Sequence, residues 1–140
     1  MALTDNRNSV TISMPKKYRD LPLSFLKHPG TGDVRPINDI DAVKQSVKNL
    51  ILTNFGDRPF QSKIGSNVSS LLFELVSPFT VEALRRNIET TLREQEPRVN
   101  GVIVNVFDDS DRNAYIVKLN YNIVSLNVNV ETSFFLRRLR

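Results

Sequence analysis

The hydrophobic positions of this chain follow two different periods. Between residues 38 and 96 they recur at three and four residues, and between 99 and 136 they alternate. The first period belongs to a helix with one buried face, the second to a strand in a sheet with one buried face. Val43, Val47, Leu50 and Ile51 mark a helix over 38–54. Asn38 or Asp39 serves as its cap, Asp39 and Asp41 suit its positive end, and Gly56 supplies its stop. Lys44 and Lys48 lie one turn apart on a solvated flank. Leu71, Leu72, Phe73 and Leu75 predict a short helix over 69–75 with these residues turned inward. Val81, Leu84, Ile88 and Leu92 mark a second long helix, opening at Ser77-Pro78-Phe79-Thr80 with Thr80 as its cap. It ends at Gln95 or Glu96, because Pro97 disfavours helix in the residue before it.

Beyond Pro97 the period is two. Val102, Val104 and Val106 alternate with Ile103, Asn105 and Phe107. A turn of polar residues over 108–113 leads to Tyr115, Val117, Leu119, Tyr121 and Ile123. A bend near Ser125 leads to Val128, Val130, Thr132, Phe134 and Leu136. One apolar face per strand predicts an antiparallel meander of three to four strands. The two main helices cover one face of it, which makes the fold class α+β. Residues 38–140 form this α+β domain, and residues 1–37 form an N-terminal arm and loop region. In the arm, Val10-Thr11-Ile12-Ser13-Met14 alternates like a strand before Pro15. A lone strand is unstable and needs a sheet or a partner.

Two loops stand out. His28-Pro29-Gly30-Thr31-Gly32-Asp33 is dense in turn formers, so His28 reads as a surface turn residue. The stretch 55–68 holds two glycines and Pro59, yet also Phe55, Phe60 and Ile64. Loops are usually polar, so these side chains are expected to fold back onto the core or be buried by a partner. A loop pinned by its own aromatics is the simpler form.

Composition narrows the function classes. The chain has 140 residues and no Cys, one His and a formal charge of +4. No disulfide framework and no zinc site of usual composition is expected. No apolar run approaches the roughly 20 residues of a membrane span, and the polar start lacks the form of a signal peptide. No Gly-rich phosphate loop or nucleophile elbow appears. Asp108-Asp109-Ser110-Asp111 lacks the glycine and distal Glu of a calcium loop. Glu74, Glu82, Glu96 and Asp108 are the carboxylates that a glycoside hydrolase could use, but none stands in a motif for a raised pKa. The basic residues do not interleave with exposed aromatics, so nucleic acid is an unfavoured partner. The expected protein has no enzymatic activity, cofactor, metal or small-molecule substrate.

Two surfaces remain. Glu96-Pro97-Arg98 forms a rigid, exposed corner with one carboxylate and one donor fork, suited to docking. Arg98→Ala is expected to leave folding largely intact. The last strand would be a sheet edge, and residues 126–136 carry neither Lys nor Pro to guard it. Asn127, Val128, Asn129, Val130, Glu131 and Thr132 are therefore candidates for strand addition by a partner. The competing reading is that Thr11 to Ser13 cover that edge.

Several stretches taken together resemble a known family. They are Gly56-Asp57-Arg58-Pro59-Phe60, Gly65, Leu71-Leu72-Phe73-Glu74, the helix running into Glu96-Pro97-Arg98, and the strands that follow. In this order they resemble the baseplate wedge and sheath-initiator family of contractile-tailed bacteriophages, with counterparts in type VI secretion. The resemblance covers roughly residues 40–135. It implies a structural subunit of the virion tail baseplate, assembled in the host cytoplasm, with a sheet like the handshake portion of a sheath subunit. It implies that Glu96, Pro97 and Arg98 dock to the wedge core proteins. It further implies that the sheet accepts strands from the first ring of the tail sheath protein. Some family members carry a lysozyme-like label, which makes peptidoglycan cleavage the alternative function.

Overall fold

The structure, a computed structural model, describes residues 18–138. The candidate strand Val10 to Met14 and the possible cover at Thr11 to Ser13 lie outside the described residues. Two short strands, β1 (Arg19–Asp20) and β2 (Ile37–Asn38), pair antiparallel. They are followed by α1 (Asp39–Leu52), α2 (Val68–Leu71) and α3 (Pro78–Gln95). Then come β3 (Val99–Asp109), β4 (Ala114–Ile123) and β5 (Val128–Arg137), joined in the order β3-β4-β5 as an antiparallel sheet. The fold is α+β, as the two periods predict.

Apolar residues from both periods meet in one core. Val43, Val47, Leu50 and Ile51 of α1 and Leu84, Ile88 and Leu92 of α3 are buried against Tyr115, Val117, Leu119, Tyr121 and Ile123 of β4. The central strand is buried at every second residue, because it is covered on one face and flanked by two others. Val104, Val130, Phe134 and Leu136 complete the layer.

Local chemistry departs from the sequence pattern at several ends. The α1 cap residue Asn38 makes no side-chain capping bond. Asp39 adopts φ +50 and binds Tyr18 instead, donating its N–H to the Tyr18 carbonyl (2.7 Å) and accepting from the Tyr18 N–H (3.2 Å). Helix α1 stops at Leu52, four residues before Gly56, where the Thr53 hydroxyl donates to the Asn49 carbonyl at 2.7 Å. The cap of α3 is Ser77, whose Oγ accepts from the Thr80 N–H at 3.1 Å; Pro78 takes the first turn, where its missing N–H costs nothing. Thr80 lies inside the helix. Helix α2 is only one turn long. Leu72 is buried there and Leu71 partly so, while Phe73 and Leu75 face outward. The turn after β3 is a single 3-10 turn, Ser110–Arg112, closed by Asn113 in the left-handed region.

Candidate functional site

The corner begins where α3 ends. Glu96 is the residue that caps its C-terminus, and its N–H still donates to the Leu92 carbonyl at 3.1 Å. The side chain does not point to solvent: Glu96 is 4% exposed. Its Oε1 accepts from Arg98 Nε at 2.6 Å and its Oε2 from Arg98 Nη2 at 2.9 Å, a two-pronged pair. Oε2 also accepts from Ser46 Oγ of α1 at 2.6 Å. The expectation of two exposed charges is corrected. The carboxylate lies in the joint between α1, α3 and β3, and only Arg98, with its side chain 31% exposed, reaches the surface. The corner cannot leave Glu96 outside, because the helix face carrying Leu92 points it at α1. The Arg98 guanidinium carbon lies 5.3 Å from the Tyr18 ring centroid, a cation–π arrangement that braces it from a second side.

Burial pushes the Glu96 carboxyl up, but the hydrogen bonds from Arg98 and Ser46 and the Arg98 charge outweigh it. Its pKa is held below the usual carboxylate range. Hydrogen bonding to Glu96 holds Arg98 above its ordinary value. A folded-state pKa below the unfolded value means that stabilisation is complete above the unfolded pKa. It is lost as pH falls through the folded one. Chemical unfolding of wild type and Glu96→Gln between pH 7 and pH 2.5 should show this. The wild-type advantage is full at pH 7 and shrinks as pH falls below the ordinary glutamate range. A constant difference would mean that the Glu96 pKa is the same in the folded and unfolded chains, and an advantage that grows towards acid would mean that Glu96 is not charged in the fold. The lowered pKa is also the reverse of what a glycosidase general acid requires.

The corner opens onto a hollow of about 450 Å³ lined by Asp20, Ser46, Asn49, Leu50, Arg58, Ile64, Gln95, Glu96, Pro97 and Arg98. Arg58 and Ile64 arrive from the loop after α1. Gln95 fastens that loop: its Oε1 accepts from the Gly65 N–H at 2.8 Å and its Nε2 donates to the Gly65 carbonyl at 2.9 Å. Gly65 has φ +133, and an added Cβ would lie 2.6 Å from the Thr53 carbonyl oxygen. Only glycine allows so close an approach. The loop is not pinned by its aromatics, as the composition had implied. Ile64 is partly buried, but Phe55 is half exposed and Phe60 fully so. The polar backbone contacts do the holding. Ser46, Tyr18, Arg58 and Gln95 are site residues that the sequence reading missed. The one available signal was a small polar residue, Ser46, beside the apolar stripe of α1.

The second candidate surface is β5. It lies at the end of the strand order, and among the described residues no strand pairs with its outer side. The direction of its backbone groups follows from two bonds. Val124 N–H donates to the Arg98 carbonyl, so even-numbered residues of β4 face β3 and odd-numbered ones face β5. Ile123 lies opposite Val128, and Arg138 N–H donates to the Asn113 carbonyl. Even-numbered residues of β5 therefore pair inward. Asn129, Glu131 and Ser133 turn their N–H and C=O groups to the open edge. Val130 is buried, Val128 is partly exposed and Thr132 Oγ1 lies 3.2 Å from the Tyr121 hydroxyl. Asn127 is not in the strand but in the preceding turn, at φ +49. Val99, Ile123 and Val128 stand side by side across the sheet. The near end of the edge is thus about 10 Å from the corner.

Among the described residues no group of three or more His, Asp or Glu side chains could hold a metal. No helix among them is long and apolar enough to cross a membrane. His28 is a turn residue, its Nδ1 accepting from the N–H groups of Gly30 and Thr31. These sites present a held guanidinium, an apolar loop and, among the described residues, an unpaired backbone edge.

The model of the gp25 baseplate wedge protein family matches residues 38–128. The chain is 32% identical over 109 residues to the baseplate wedge protein gp25 of Enterobacteria phage T4, covering 78% of this chain and 82% of that protein. The fold recurs in a Geobacter sulfurreducens protein described as a tail lysozyme, with a TM-score of 0.66 and 15% identity over 71% of this chain and 91% of the other. It recurs also in the postcontracted baseplate of pyocin R2, with a TM-score of 0.53 and 21% identity over 84% and 98%. A structural wedge component of contractile-tail baseplates is the class that the fold and these relatives define. The chain belongs to the gp25 family of baseplate wedge proteins.

Proposed function

We propose that this subunit joins two parts of the tail. Arg98, braced by Glu96, Ser46 and Tyr18, docks to wedge core proteins, and Pro97 fixes the corner. The outward backbone of β5 around Asn129 and Glu131 offers itself to strands of the tail sheath protein, so the first sheath ring polymerises in register. The observation that carries the reading is the β5 edge, unpaired among the described residues, unguarded by Lys or Pro over its first half and set on the sheet that begins at the corner. Glu96 acts behind the surface, as the residue that aims Arg98. Residues 127–132 contribute through backbone more than side chain, with Asn127 shaping the turn.

The experiment is assembly with one surface altered at a time. Arg98→Ala removes the subunit from baseplates, whereas Asn129→Pro leaves baseplates that recruit no sheath. Variants that behave alike would mean the two surfaces are not separate.

A further inference from the structure

Residues Arg58 to Gln61 make a tight turn, in which the Gln61 N–H donates to the Arg58 carbonyl at 3.2 Å. Pro59 and Phe60 occupy its two central positions, and Phe60 has φ +67. A turn with proline first and a positive φ second normally carries Gly or Asn at the second place. A bulky side chain there is strained. Core packing does not offset the strain, since Phe60 is fully exposed. Neither the local conformation nor the core accounts for a phenylalanine at this position.

The turn is nonetheless firmly held. The Asp57 carboxylate accepts from the Asn54 N–H at 2.8 Å, and Gly56 N–H donates to the Ser62 carbonyl at 3.0 Å. Ile64 N–H donates to the Gln61 carbonyl, and Ser66 N–H donates to the Thr53 carbonyl at the loop base. Gln95 grips Gly65 from α3. A rigid exposed aromatic loses little freedom when it docks, which is how binding energy comes to be concentrated in such residues.

We propose that Phe60 is a second anchor for the wedge core partner that Arg98 engages, and that this partner carries an apolar pocket for the ring beside a carboxylate. The same loop gives Arg58 and Ile64 to the hollow lined by Pro97 and Arg98, so ring and corner belong to one continuous face. The lining charges cancel, Asp20 and Glu96 against Arg58 and Arg98, and Glu96 takes Nε and Nη2 of Arg98, so what meets the partner is the outer donors of the guanidinium. A carboxylate is the acceptor that fits those donors. This inference rests on the docking reading of the corner.

The test measures affinity of the purified full-length chain for purified wedge core proteins, alongside melting temperature and solution mass. Phe60→Ala should weaken binding about thirtyfold or more while the fold is unchanged. Phe60→Gly should weaken it as much while raising the melting temperature by about 2–5 °C, because glycine accepts the positive φ. If Arg98→Ala weakens binding and Phe60→Ala does not, the anchor is overturned and the corner reading stands. If neither does, both fall. If only Phe60→Ala does, the corner reading fails and the shared face with it. If Phe60→Ala instead converts a dimer to a monomer with wedge affinity unchanged, the ring serves a second copy of this chain and the proposal is wrong.

Discussion

Arg98→Ala is expected to exclude the subunit from baseplates and to lower its stability by about 2–4 kcal/mol. The second effect corrects the expectation drawn from an exposed corner. Removing the Arg98 side chain strands a nearly buried carboxylate with Ser46 as its remaining side-chain hydrogen-bond donor. Breaking a buried pair from one side costs more than the pair contributes, because the remaining charge has lost its solvent and its partner. Against a total stability of about 5–15 kcal/mol this is a large share, so loss of assembly by itself would be ambiguous. The pair of substitutions Glu96→Gln and Arg98→Ala resolves it. Glutamine keeps an acceptor for Ser46 and carries no charge, so about 1–2 kcal/mol of the loss should return. Incorporation into baseplates should not return. Unfolding curves and sedimentation of assembled particles read the two effects separately. Recovery of assembly together with stability would show that Arg98 serves the fold alone.

Asn129→Pro should give baseplates of normal composition with sheath-bearing tails reduced at least tenfold. Proline removes the N–H that faces the edge and puts ring carbons where an incoming carbonyl would approach. The ladder to β4 is spared, since Val128 and Val130 carry the inward bonds. The fold should therefore change by no more than about 1 kcal/mol. The same substitution at Val130 would break the ladder and unfold the strand, which makes it the control for register. Electron microscopy of purified particles counts tails with and without sheath. Normal sheath on Asn129→Pro baseplates would mean that β5 is not the template.

Much of this architecture is legible in the chain because burial imposes its own period. The stripe Leu84, Ile88, Leu92 and the alternation Tyr115, Val117, Leu119, Tyr121, Ile123 name the two faces that meet, and those residues are the core. The edge of β5 is legible too, since a last strand without Lys or Pro can be read directly. The corner is legible in its position but not in its exposure. Pro97 fixes where the helix ends, but the direction of Glu96 depends on how α1 crosses α3, and no local pattern encodes that. Ser46 lies 50 residues away from the carboxylate it touches. Helix ends were misplaced where one side chain competes with another. Ser77 and Thr80 both fit a cap, and Pro78 decides between them by taking the first turn. Phe60, an apolar residue in a loop, was expected to fold back onto the core or be buried by a partner, and the core does not take it. Its exposure follows from a positive φ that the residue type conceals.

On the proposed reading, one subunit holds the wedge at its corner and the sheath at its edge. The most direct test is a cryo-electron-microscopy map of a complete tail, resolved well enough to trace strands around this subunit. The account predicts a wedge helix or loop against Arg98 and Pro97, and a sheath strand hydrogen-bonded to Asn129 and Glu131. A map with the β5 edge facing solvent, or paired with residues 10–14 of the same chain, would contradict it.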